Sequence, residues 1–264
     1  MVGDAGRMVR FAGIDRLYGA GSADRLGRAR VAVVGVGGVG SWAAEALARS
    51  GVGTVELIDA DDVCVGNTNR QLHALDATIG RPKVDVMAER LRAIQPGIRV
   101  AAVPAFLTPA NIPELLHDRI DLVLDCCDAF RAKVETIVWC RRRKQPLVVC
   151  GSAGGRTDST LITVRDLAKT EHDALLALIR RKLREEFGYP RSPTRYFGVP
   201  AVYSRENVRY PQPDGSVCGI RPESESGAAA GLDCGTGLGA AMHVTAAFAC
   251  AAVGRALQRL LQPR

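Results

Sequence analysis

Asp59, Asp61, Asn67, Asn69, Arg70, Gln71, Lys83, Asp125 and Asp128 each fall at or just after the end of an apolar run, or where a helical pattern starts. If those runs are strands, the side chains converge on one rim of a sheet. Two cations among them, Arg70 and Lys83, can balance the charge that builds on a departing pyrophosphate. A carboxylate such as Asp128 can hold Mg²⁺ through oxygen ligands. Ahead of them runs Gly35-Val36-Gly37-Gly38-Val39-Gly40, between the apolar Val31, Val33 and Val34 and a small-residue stretch from Ser41 to Arg49. Glycines let a backbone turn tightly and let a phosphate approach the amides at a helix N-terminus, where the dipole favours negative charge. A second apolar run, Val55 to Ile58, closes on Asp59, an acceptor for ribose hydroxyls. The glycine pattern by itself does not separate a dinucleotide from ATP, or from a turn that merely packs a helix on a sheet. The arginine–lysine pair decides for a triphosphate, because a dinucleotide pyrophosphate has no need of it.

The elements that must position these groups alternate along the chain. A loose leader at 1–10 and short helical pieces from Phe11 to Gly27 precede the first strand. After Asp59 comes a long polar crossing, 61–80. A helix follows from Arg81 to about Ile94, with Val84, Met87 and Leu91 at helical spacing and Pro96-Gly97 ending it. Then come a strand at Ile98–Val103, a short helix at Asn111–His117 capped by Asn111 or Thr108, a strand at Ile120–Asp125, a helix at Arg131–Lys144 and a strand at Pro146–Cys150. Five strands alternating with helices predict a Rossmann-like, doubly wound α/β fold, its sheet mainly parallel with helices on both faces. Its site lies at the carboxyl ends of the strands. The rhythm then changes: a strand at Thr160–Val164, a basic amphipathic helix at Glu171–Phe187, a strand at Gly198–Tyr203, a Gly/Ala/Ser loop at Ser224–Gly239 and a closing helix. The expected division is an N-terminal helical arm at 1–28, a nucleotide-binding unit at 29–165 and a C-terminal extension at 166–264 packed on the same domain.

At 264 residues, 47% hydrophobic, the chain has enough apolar material for one large core. The formal net charge of +7 makes an anionic partner plausible. That excess is nearly all arginine, a bias that genome composition also produces. Arg180 to Arg184, Arg141 to Lys144 and the Tyr/Arg-rich Arg191 to Arg209 are three stretches suited to tracking phosphates, and each alone reads equally as a solvated face. The eight cysteines form no C-x-x-C pair and no zinc-spaced cluster, which points to a reducing compartment without a structural metal. No apolar leader marks the N-terminus, so a cytoplasmic location is expected. Leu238 to Gly254 is long and uncharged, yet mostly alanine and interrupted by His243 and Thr245. It reads as a buried helix rather than a membrane span.

Five motifs in order, G-x-G-G-V-G-S (35–41), I-D-x-D-x-V (58–63), N-x-x-R-Q (67–71), G-x-P-K (80–83) and D-C-x-D (125–128), resemble the adenylating enzymes of the ubiquitin-activating superfamily. With Phe11 to Gly19, Asp166 to Thr170 and the region from Phe197 to Phe248, the chain is most similar to the tRNA threonylcarbamoyladenosine dehydratases within it. That resemblance covers nearly the whole chain. It implies a ligase that uses ATP and Mg²⁺ to cyclise N6-threonylcarbamoyladenosine beside the tRNA anticodon, at position 37. The threonyl carboxylate attacks the α-phosphate, and the carbamoyl group then closes the ring and expels AMP. By the resemblance, Gly35, Gly37, Gly38 and Gly40 line the nucleotide, and Asp59 holds the ribose with Asp61 in support. Asn67, Arg70 and Lys83 contact the phosphates, Gln71 orders their loop, and Asp128 binds Mg²⁺. Arg16 matches an arginine that reaches a partner subunit's triphosphate, which implies a homodimer with shared sites.

Each residue also has an ordinary reading. Arg70 and Lys83 taken singly read as solvated charges, Asp61 as a turn cap, Arg16 as a surface arginine, and Cys234 as a passive thiol because direct cyclisation needs no covalent carrier. Asp125 reads as orienting its neighbours rather than binding metal. The alternative activity is adenylation of the C-terminus of a ubiquitin-like sulfur-carrier protein, with docking of a sulfur-transfer partner left open. The missing C-x-x-C pairs, usual in sulfur-carrier activators, argue against it. Ala129 stands where many relatives have asparagine, so one support of the Mg²⁺ site differs. A third class, an NAD-binding oxidoreductase, is disfavoured by the Arg70/Lys83 pair.

Overall fold

Alternate valines of the first apolar run face opposite layers, and all are buried. In the computed structural model, which describes residues 4–192, 194–221 and 238–262, Val31 and Val33 of β1 (Arg30–Val34) join one core and Ala32 and Val34 another. Such two-sided burial is what a central parallel strand requires, each large side chain contributing about 1.5–3 kcal/mol. β1 pairs in parallel with β2 (Thr54–Ile58) on one side and β4 (Leu122–Asp125) on the other. The sheet continues outward to β3 (Arg99–Val103) beyond β2, and to β5 (Leu147–Cys150) beyond β4. The order 3-2-1-4-5 is that of a doubly wound sheet, as expected, and its switch point lies between β1 and β4.

The two cores are the two helix layers. One holds α3 (Gly40–Arg49), α4 (Lys83–Ile94) and the long α8 (Met242–Leu261). The other holds the short α5 (Ile112–Leu115), α6 (Phe130–Arg142) and α7 (Ala174–Glu186). Among the described residues, α8 alone is long and apolar enough to span a bilayer by length and composition. Its face of Ala249, Ala252 and Ala256 is fully buried in the core that holds α3, the role expected for it.

Several elements differ from expectation. The leader is not loose: α1 runs Asp4–Tyr18, followed by α2 (Ser22–Arg28). Arg7 of α1 donates to the carbonyls of Ala23 and Gly51, at 3.0 and 2.8 Å, which anchors the helix to the domain. α4 starts at Lys83, because Pro82 adopts an extended ψ of 130. α7 starts at Ala174, where the Asp173 carboxylate accepts from the Leu176 amide at 2.9 Å. Asn111 precedes α5 but turns its side chain back to the Thr108 amide at 2.7 Å instead of capping the helix. β6 is Ile162–Asp166, antiparallel to β7 (Pro200–Ser204), and β7 inserts between β5 and β6 in the same sheet. A small hairpin, β8 (Tyr210–Pro211) with β9 (Val217–Cys218), lies in a stretch where no strand was expected. Most of the expected Gly/Ala/Ser loop, Cys234 included, lies outside the described residues.

Candidate functional site

A cleft of about 690 Å³ opens at the carboxyl ends of β1 and β4, where the crossovers diverge. Its floor is the glycine turn. Gly35, at φ +82, donates its amide to Ile58 at 2.9 Å, and a Cβ here would stand 2.8 Å from the Cys127 nitrogen. Only glycine fits. Gly37 and Gly38 face the cleft. Val39, at the cap position of α3, has no side-chain acceptor, so the dipole end of that helix is left for an anion.

Gly40 is a correction to the expected lining. It is not on the cleft wall but beneath the turn, where a Cβ would come within 1.7 Å of the Gly35 carbonyl oxygen. Its role is close packing of helix on strand.

Asp59 ties the turn to the end of β2. One carboxylate oxygen accepts from the Val36 amide at 2.6 Å and the other from the Asp61 amide at 2.9 Å. Each oxygen keeps a lone pair for a hydroxyl. Asp61 in turn holds Lys83, Oδ2 to Nζ 2.7 Å, with the lysine buried and the carboxylate half exposed. Arg70 is braced by the Gly66 carbonyl at 2.8 Å and the Asn69 side chain at 3.0 Å. Both cations stand on the cleft wall, as does Gln71, whose Oε1 is buried with no partner. Asn67 does not reach the wall. It is buried, and its side-chain oxygen accepts from the Cys64 amide at 3.1 Å, closing the turn that presents Arg70.

On the β4 side, the exposed Asp128 carboxylate faces the cleft. Asp125 does not: it is fully buried and paired to Lys133, also fully buried, at 2.7 Å. Burial works against the Lys133 ammonium, but the Asp125 carboxylate beside it outweighs burial and raises its pKa. Burial likewise pushes the Cys127 thiol well up, so a ready nucleophile is not found here. Among the described residues no three His, Cys, Asp or Glu side chains form a metal cluster. Arg16 lies in the last turn of α1, exposed and outside the lining of this cleft.

Several wall residues went unread in the sequence. Gly151 to Gly154, after β5, form a second glycine-rich strand end of the kind that marks the rim, and that signal was legible. Phe106 on the β3 side is 66% exposed at the cleft. Leu238 to Ala240 and Thr245 come from the chain's far end, held by Asn69 Nδ2 donating to Ala240 at 2.6 Å and Gly155 donating to Gly239 at 2.7 Å. His73 is buried beneath the turn with Nε2 2.7 Å from the Val36 carbonyl oxygen. Burial, with Lys83's charge, lowers its pKa.

Residues 11–263 match the ThiF family. The chain belongs to the ThiF family. It is 47% identical over 261 residues to the tRNA threonylcarbamoyladenosine dehydratase of Escherichia coli (strain K12), covering 99% of this chain and 96% of that one. It is 41% identical to the same-named protein of Haemophilus influenzae, over 97% and 94% of the two chains. A solved structure of the E. coli tRNA N6-threonylcarbamoyladenosine dehydratase in complex with ATP superimposes with a TM-score of 0.85 at 43% identity, covering 98% of this chain and 96% of that one.

Proposed function

We propose that this chain uses ATP to dehydrate N6-threonylcarbamoyladenosine at position 37 of tRNA, giving the cyclic form. One observation carries the reading: Arg70 and Lys83 stand with the uncapped glycine turn on the wall of one cleft at the switch point of the sheet. Similarity over nearly the full length of two tRNA threonylcarbamoyladenosine dehydratases supports the substrate.

The chemistry follows from what the wall offers. The turn amides and the α3 dipole take phosphate oxygens, and Asp59 takes the ribose. Arg70 and Lys83 stabilise charge while the threonyl carboxylate bonds to the α-phosphorus and pyrophosphate departs. The carbamoyl group then attacks the activated carbonyl and gives up a proton, AMP leaves, and the net change is loss of water. Positioning and charge balance suffice, with no protein nucleophile. Asp128, among the described residues the one wall carboxylate not tied to a cation or to the turn, would hold Mg²⁺. A single exposed carboxylate suits an ion that keeps most of its waters and binds largely through phosphates. When bound it offsets phosphate charge.

The division of labour we infer runs along the chain. The arm at 1–28 carries Arg16 to the cleft of a second copy, the unit at 29–165 adenylates, and 166–264 meets tRNA and the other subunit. Met8, Val9 and Leu17 of α1 are exposed, which suits a helix that docks on a partner. A cytoplasmic enzyme fits a tRNA substrate and free thiols.

The test is conversion of tRNA that carries the threonylcarbamoyl nucleoside, followed by nucleoside mass spectrometry. With Mg·ATP the nucleoside should lose water as AMP and pyrophosphate form, and Lys83→Ala or Arg70→Ala should lower the rate by about 100-fold or more. Conversion without ATP, or none with it, overturns the reading. Pyrophosphate exchange stimulated by a ubiquitin-like carrier but not by tRNA would support the sulfur-carrier alternative instead.

A further inference from the structure

The basic end of α6 meets the basic last turns of α7 and the arginines that follow them at the end of the molecule opposite the cleft. α6 and α7 both begin beside the cleft, with Ala132 on its wall and Asp173 accepting from the Ser152 amide at 2.8 Å. Both run away from it, and their 13 residues each carry the last turns about 20 Å off. There residues 189–192 and 194–199 close over them. Arg184 Nε donates to the Pro190 carbonyl at 3.2 Å and its guanidinium lies 5.3 Å from the Phe197 ring centre. The Arg141 guanidinium packs so close to Gly198 that a Cβ there would lie 2.9 Å from Nη2. These contacts hold Arg141 and Arg184 in place and leave further cations exposed around them.

Arg142, Arg181, Arg191 and Arg195 are exposed, and among the described residues none of them has a carboxylate partner. Nearby acids are engaged elsewhere: Asp118 with Arg143, Glu186 with Lys182, and Asp166 with the amides of Phe197, Gly198 and Val199. Glu185 remains as a single negative charge on α7. Tyr196 is 67% exposed with Lys169 Nζ 5.4 Å from its ring centre, an aromatic face flanked by charge.

We propose that this rim binds the phosphate backbone of the tRNA while the modified base sits in the cleft, with Tyr196 as a stacking platform for an unpaired base. The proposal rests on the tRNA-modifying reading above. Arginine forks match phosphate oxygens, and an exposed aromatic ring beside a cation suits a base. The separation from the cleft decides for a long substrate, since a free nucleoside would never reach the rim. An acidic protein surface is the competing occupant.

The full-length variant Arg142→Glu/Arg181→Glu/Arg195→Glu tests it. KM for tRNA should rise about tenfold or more with kcat at saturation unchanged, and the log–log salt slope of tRNA binding should fall by about 2–3. ATP affinity, and turnover of a short anticodon-loop oligonucleotide carrying the modified base, should stay at wild-type values. Tyr196→Ala should weaken tRNA binding about fivefold without altering the salt slope. An unchanged KM and slope in the triple variant, or an equal loss in Arg259→Glu on the opposite helix layer, overturns the proposal, as does loss of an acidic protein partner with tRNA binding intact. Wild-type protein that binds tRNA through the rim but converts none of it would overturn the dehydratase reading and leave the rim standing.

Discussion

Lys133 and Asp125 lie wholly out of water beneath the cleft, and each is tolerable only because of the other. The carboxylate also takes the Cys127 amide at 3.2 Å, so the pair sets the backbone that leads to Asp128. Lys133→Met should cost about 3–5 kcal/mol in denaturant unfolding by stranding a buried carboxylate, and Asp125→Asn added to it should recover part of that loss. Single and double variants of equal stability would sink this account. His73 makes the turn pH-sensitive. Its folded pKa lies below the ordinary 6.5, so the unfolded chain binds a proton first as the solution acidifies. Stability should therefore fall as pH drops below about 6.5, and stop falling once the folded imidazole also titrates. His73→Gln should flatten that part of the curve, as read by urea midpoints at pH 5 to 7.5.

At the scale of elements, glycines with different surroundings separate packing from chain entropy. Gly40→Ala drives a methyl into the Gly35 carbonyl, backbone against backbone, and should destabilise by about 3 kcal/mol or more while abolishing ATP binding. Gly254→Ala, inside α8 with nothing within 4 Å of the new Cβ, should instead stabilise by about 0.5–1 kcal/mol. Thermal unfolding with calorimetry of ATP binding distinguishes the two. The same contrast shows what was legible beforehand. Period and punctuation revealed β1 to β5 and the helices between them, because β1, β2, β4 and β5 are buried along nearly their whole length, whereas the edge strand β3 is only partly covered and was marked by Pro96-Gly97 before it. Asp59 and Asp128 were legible from strand ends, Lys83 from the start of α4 and Arg70 from its spacing in the polar crossing, and all four line the cleft. Gly40 and Asn67 were misplaced because a motif gives spacing without saying whether a residue faces ligand or supports the one that does. Lys133 escaped notice because its partner is eight residues back across a strand–helix junction, and Ala240 and Thr245 because only tertiary packing returns the far end of the chain to the cleft.

The whole molecule leaves one expected residue unaccounted for. Arg16 sits on an arm where Met8, Val9 and Leu17 are exposed, and it is not among the residues that line the cleft of its own chain. If the anchored arm of each copy reaches the cleft of the other, every site draws Lys83 from one chain and Arg16 from the other. Arg16→Ala and Lys83→Ala should then each be nearly inactive alone. Mixed under conditions that let subunits re-equilibrate, half the dimers become heterodimers, and each of those contains one site with both residues intact. Activity should return to about a quarter of the wild-type value by that statistics. A site built within one chain predicts no recovery on mixing, and a monomeric species by sedimentation with full activity removes the shared site altogether. Failure of complementation would touch only the arm, because the grip of Arg70 and Lys83 on a triphosphate is formed within a single subunit.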